Sequence, residues 1–287
     1  LAEEAEEIAT RLGDIYLQSK ILFAQSLHGL LMGRFEDSRR KAQDLVVLGR
    51  RAGDPRTISM GLYVGAYERA YSECCEEAIE DADEALRISP DPLDRIGARN
   101  TRGQAYAMLG RGREACAELA DILREAEESG FGMIRLGSVF AYGAALAQSG
   151  EPTRGLRLIK ENITAFERLD LSAMPAIGHM ILGAIYTAIA RGEEKASLCV
   201  LLRNPGFVLR DALFAAKHAR HHLELTIADA RATERPAFLC RGLLNLALLS
   251  QTKGQAQRAK PLLEEARGIA KAQGLNIYLE KIEAACG

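Results

Sequence analysis

The chain has 287 residues, 48% of them hydrophobic and 26% charged, with a net charge of −2. That apolar share supports a buried interior and excludes general disorder, and the near-neutral balance excludes a dedicated nucleic-acid surface, which needs a basic excess. Six cysteines with neither a CxxC pair nor zinc-ligand spacing, no tryptophan and eight prolines point to reduced thiols in an all-α, cytoplasmic protein. The chain opens on Leu1 without a signal-peptide pattern, which fits a piece cut from a longer polypeptide.

In chain order, one local pattern recurs six times: an apolar helix, a tight turn, then a small residue five positions on. The turns fall at Gly33, Glu73, Gly110, Gly150, Gly192 and Gly254, and the small residues are Ser38, Ala78, Ala115, Gly155, Ser197 and Ala259. Two helices of roughly 17 residues with two short turns fill about 40 residues. The spacing therefore predicts helical hairpins over 10–52, 56–90, 94–129, 131–170, 174–232 and 234–273, with a capping helix over 275–286. Glycine at the corner permits the positive φ that reverses the chain, and the small residue lets the second helix pack closely on the first. A lone hairpin leaves an apolar face exposed, and stacking buries it. The predicted fold is one all-α solenoid of about six hairpins.

Within each hairpin the two helices differ. First helices are apolar nearly all round, as over 137–148, 176–190 and 238–250, and second helices are amphipathic and charged. The run 176–190 is shorter than the ~20 residues a membrane span needs and contains His179, so it reads as a buried helix. The acidic stretch EEAIEDADEALRISPDP at 76–92 sets Ala78, Ile79, Ala82, Ala85 and Leu86 on one stripe. Its carboxylates line the other side as a solvated face, and Pro90 ends it. The last interval is longer than the others. The extra residues are placed over 195–207, ahead of a long helix from 208 to 231, where they form either a binding face or a packing elaboration.

Motifs for chemistry are scarce. No GxxxxGK[ST] phosphate loop occurs, and SQTK at 250–253 lacks its companion motifs. His218 and His222 stand at i,i+4 on one helix face, and a divalent ion held by both is one reading. The stripe Leu209, Leu213, Ala216, Leu223 and Ile227 is apolar and lies opposite, so the other reading turns both histidines to solvent. The adjacent Cys74 and Cys75 could form a thiol site. A metal- or thiol-dependent enzyme is therefore an alternative to a chain with no catalytic residue, no metal and no cofactor, which is the reading favoured here.

The stretches GRGREACAEL at 110–119 and EEAIEDADEALRISP at 76–90 resemble the tetratricopeptide repeat, with Gly103 and Tyr106 ahead of Gly110 and with Ala78, Ala85 and Pro90 after Glu73. The period near 40 is similar to the regulatory arrays of bacterial signal-transduction ATPases and maltose-regulator type transcriptional activators. Residues 179–193, 207–232 and 243–266 resemble the C-terminal arm of bacterial class III adenylate/guanylate cyclases that carry an ATPase module. The resemblance implies a right-handed α-α superhelix serving as a non-catalytic regulatory arm of a larger signalling protein. The implied partner is a protein or peptide segment, other domains of the same polypeptide or a second copy of the chain, without nucleic acid or membrane. It also implies a concave groove lined by Phe23, Leu27, Tyr63, Tyr67, Asn100, Gln104, Phe140, His179, Tyr186 and Arg241. Packing between repeats is the other role open to these side chains.

Overall fold

A computed structural model describes residues 2–130, 132–171, 173–192 and 203–286. Among them every regular element is helical. The chain divides into two compact units, Leu1–Ser138 and Val139–Gly287.

The first unit holds α1 (Ala2–Leu12), α2 (Ile15–Leu31), α3 (Phe35–Ala52), α4 (Pro55–Tyr71), α5 (Cys75–Ile88), α6 (Pro92–Met108) and α7 (Gly112–Ser129). Each helix packs on the next. In addition α2 packs on α4 and α4 on α6, so first helices of successive hairpins touch. Helix α8 (Gly132–Gln148) contributes residues to both units. The second unit continues with α9 (Pro152–Arg168) and α10 (Ala173–Arg191). A short helical segment, Pro205–Phe207, then runs into a π-turn, Val208–Ala212, and α11 (Ala215–Ala232), α12 (Pro236–Thr252), α13 (Ala256–Ala272) and α14 (Asn276–Cys286) follow. Here α10 packs against α9, α11 and α12, α11 against α12, and α12 against α13 and α14.

Corner chemistry explains the regularity. All six turn residues read from the sequence take positive φ, including Glu73 at 68°, which has a side chain where the others are glycine. The turns between hairpins use the same device at Gly13, Gly53, Gly130, Asp170, Glu234 and Gly274. Positive-φ corners thus fall 20 residues apart from Gly13 to Glu73, from Gly110 to Asp170 and from Glu234 to Gly274. One 17-residue helix and a three-residue corner is the unit of construction. The phase slips between α5 and α6, and again after Asp170, where Gly192 follows by 22 residues and Glu234 by 42 more. Helix α5 has 14 residues and ends on an extended Ser89 ahead of Pro90, and no left-handed corner follows it.

Helix starts are also local. Asp54 and Asp91 cap α4 and α6 by accepting backbone N–H bonds, each followed by proline at the first helical position, where a missing N–H costs nothing. The small residues five positions past the corners are buried: Ser38, Ala78 and Ala115 at 0% exposure and Ala259 at 1%. Ser197 and most of the predicted insertion 195–207 lie outside the described residues.

The run read as a buried 176–190 helix is longer than expected. Helix α10 has 19 residues, and by length and composition alone it is long and apolar enough to cross a membrane. In this structure it is packed between α9, α11 and α12, and Ala176, Ile177, Met180, Leu182 and Tyr186 are buried.

Candidate functional site

Three places bring together side chains with chemical potential. The first is the face expected to line an open groove. Phe23 and Tyr63, half-buried, meet edge-on with ring centroids 5.8 Å apart, and Leu27 packs beside them. Asn100 and Gln104 are 2% and 4% exposed, so both belong to the interior. The Tyr67 hydroxyl accepts from the amides of both, the second at 3.1 Å. Gln104 also donates to the Gly137 carbonyl at 3.1 Å, and Ser138 donates to Asn100 Oδ1 at 2.6 Å. Burial holds the Tyr67 phenol well above its usual range. This network ties α4, α6 and the start of α8 together, and its groups are spent on one another. Phe140 is likewise interior, edge-on to Phe166 at 5.5 Å, and Tyr186 is fully buried. Asn100, Gln104, Phe140 and Tyr186 are therefore corrected from groove-lining to interior. The reason is that neighbouring helices close on these positions: α4 and the start of α8 on Asn100 and Gln104, α9 on Phe140, and the π-turn and α11 on Tyr186. Arg241, on α12, is half-buried.

The second place is a pocket on the other side of the first helices. Helix α6 forms its floor and α5 and α7 its walls, with Leu86, Pro92, Arg95, Ile96, Arg99, Arg102 and Glu125 lining about 560 Å³. Arg95, Arg99 and Arg102 fall at i, i+4 and i+7 and so share one helix face. Arg99 donates to both Glu125 oxygens at 2.8 and 3.0 Å. Arg102 grips Glu118 with two bonds, at 2.7 and 2.8 Å, and also meets Asp83. Arg95 is exposed and donates to the Leu86 carbonyl at 2.9 Å. Asp83 belongs to the acidic run of α5, whose Glu76, Glu77 and Glu80 stay exposed as expected, while Asp81 pairs with Arg69 at 2.9 Å.

The third place surrounds the π-turn. Asp211, 9% exposed, accepts from the Tyr186 hydroxyl of α10 and from Lys160 Nζ of α9 at 2.9 Å. His222 of α11 stacks on Tyr186 at 5.9 Å with 3° between the planes, and its Nδ1 lies 3.0 Å from His179 Nδ1 of α10. His218 lies against Tyr186 at 5.0 Å and its Nε2 is 3.1 Å from the Arg210 carbonyl. Burial, and then the charges of His179, His221, Lys160 and His218, push His222 down to about 3. Burial also lowers His179, and burial with the Asp211 bond raises Tyr186.

The expected inward stripe holds for Leu223 and Ile227, which are buried, and fails ahead of them. One unbroken helix from 208 to 231 would turn Leu209 and Leu213 inward and both histidines outward. The π-turn and the turn at Leu213 and Phe214 interrupt it and change its phase before α11, since each extra residue rotates the face by about 100°. Leu209, Leu213 and Phe214 are consequently exposed at 65%, 68% and 52%, and His222 is buried at 8%.

Among the described residues no three His, Cys, Asp or Glu side chains form a group that could hold a metal ion. The Cys74 thiol is pushed up by burial and by Glu77 and Glu68, the opposite of the shift that activates a nucleophile, and Cys75 is buried.

No family model matches this sequence, and no curated protein matches it. Among solved structures the chain is similar to one described as the crystal structure of BtubC (BKLC) from P. vanneervenii. The two are 19% identical, with 84% of this chain and 92% of that chain covered and a TM-score of 0.49. A likeness of that degree assigns neither a function nor a site.

Proposed function

We propose that the chain is a non-catalytic protein-interaction module, built of helical hairpins, that docks an acidic, partly apolar segment of a protein partner in the pocket over α6. The observation that carries this reading is the pocket itself. Leu86, Pro92 and Ile96 give it apolar surface, and Arg95, whose bond is to the Leu86 carbonyl, sets a guanidinium group along it, while Arg99 and Arg102 are already gripped by Glu125, Glu118 and Asp83. Its volume of about 560 Å³ lies in the range that holds a ligand or a few partner side chains. Arginine forks match carboxylates in a fixed plane, so aspartate or glutamate beside a leucine-like anchor is the complementary motif. The resemblance of residues 76–90 and 110–119 to tetratricopeptide repeats, and of the C-terminal third to cyclase arms, supports a regulatory role within a larger bacterial signalling protein. Another domain of that polypeptide would then be the natural partner.

The direct test is fluorescence anisotropy with a labelled helical peptide that alternates glutamate and leucine. Binding should weaken with salt and fall about tenfold in Arg95→Glu, a residue whose one bond is to a backbone carbonyl and whose reversal leaves the Arg99 and Arg102 pairs intact. No binding, or equal binding by the variant, would overturn the pocket as the docking site.

A further inference from the structure

The π-turn cluster has a geometry that one added proton tolerates and two do not. With His179 Nδ1 and His222 Nδ1 at 3.0 Å, one nitrogen carries the hydrogen and the other offers a lone pair. A single proton on the pair can still be shared across that contact. A second puts N–H against N–H and places two cations between packed helices.

The surroundings relieve one charge but not a second. From α9, Lys160 adds positive charge toward His222, while Glu167 favours a charge on His179. From α11, His218 and His221 oppose a charge on His222, and on His179 His221 opposes a charge that Asp229 favours. Asp211 of the π-turn, the nearest buried carboxylate to Tyr186, is already taken up by Lys160 and the Tyr186 hydroxyl. Tyr186 covers one face of His222 and is itself fully buried, so water does not replace the missing counter-charge there.

We propose that the His179–His222 contact is an acid-released latch that holds α10 to α11 while the pair carries at most one extra proton and lets the two helices part when both rings are charged. The strap it controls is the π-turn with the turn that follows it, which Asp211 pins to α10 and α9 and which carries the exposed Leu209, Leu213 and Phe214. The sign follows from linkage. In the packed state the rings stay neutral below their ordinary value of 6.5, and in the opened state they take up protons there. Closure is therefore fully favoured above about 6.5 and is lost progressively as pH falls below it.

Native-state hydrogen exchange on the full chain tests this, with rates corrected for the intrinsic pH dependence of exchange. Between about pH 7 and about pH 5.5, protection of α10 and α11 should fall about tenfold while that of α12 and α13 changes far less. In His222→Asn, which keeps a hydrogen-bonding group near the Nδ1 position but does not titrate, the change should stay within about threefold. Equal pH dependence in the two proteins would overturn the latch. Should His222→Asn fail to fold, the imidazole nitrogen shifts of the unaltered chain decide the matter. At about pH 5.5 the folded protein should show at most one cationic ring in the pair, and two rings both titrating near 6.5 without loss of packing would contradict the proposal.

Discussion

Gly103 lies against Leu119, where α6 crosses α7. A Cβ at that position would stand 2.8 Å from two Leu119 carbons. Replacing it with leucine should overpack the hairpin and cost about 1–3 kcal/mol, read as a shift in the urea midpoint without a change in slope. Full stability in Gly103→Leu would mean that the two helices do not meet there. The closest approach of this type is at Gly155 on α9, which presses on the Gly143 carbonyl and would place a Cβ 2.8 Å from the Ala147 backbone nitrogen. Backbone cannot step aside as a leucine tip can, so even alanine should be poorly tolerated at Gly155. Gly155 was legible in the sequence because a small residue five positions past a corner has one local meaning, and Gly103 through its place seven residues ahead of Gly110 in the repeat. The Tyr67–Asn100–Gln104 network was not. Polar side chains on a first helix look the same in sequence whether they face a ligand or the next hairpin.

At the scale of elements, the corner sets both length and direction. Glu234 takes φ 54° in the turn between α11 and α12, a conformation that costs a residue with a Cβ about 1–2 kcal/mol. Glycine there removes that strain and loses roughly half of the gain to the greater freedom of the unfolded chain. Glu234→Gly should therefore stabilise the protein by roughly 0.5–1 kcal/mol in equilibrium unfolding. A destabilised variant would show that the side chain contributes more than its conformation costs. The repeat was readable because glycine and proline act over a few residues. The π-turn was not, since an inserted residue is held by packing from α9 and α10, which a helical wheel of 208–231 omits. Nor was the pocket legible, because its lining comes from three helices and the arginines of α6 read alone as a charged face.

For the whole molecule, buried titratable groups set both edges of the stability range. His179 and His222 are held neutral, so stability present above pH 6.5 should decline as pH falls below it. Tyr63, Tyr67 and Tyr186 are held protonated mainly by burial, so stability present below pH 10 should decline as pH rises beyond it. Denaturant midpoints should form a plateau between these limits. A midpoint that stops rising by about pH 5, as for carboxylates alone, would contradict the histidine part of this description. The functional claim is spatially narrower, since docking is assigned to one pocket of one unit. Hydrogen-exchange footprinting with the glutamate–leucine peptide measures that most directly. Added protection should fall on α5, α6 and α7, with α12 to α14 unchanged. A footprint centred on any other helices, or no footprint at saturating peptide, would contradict it.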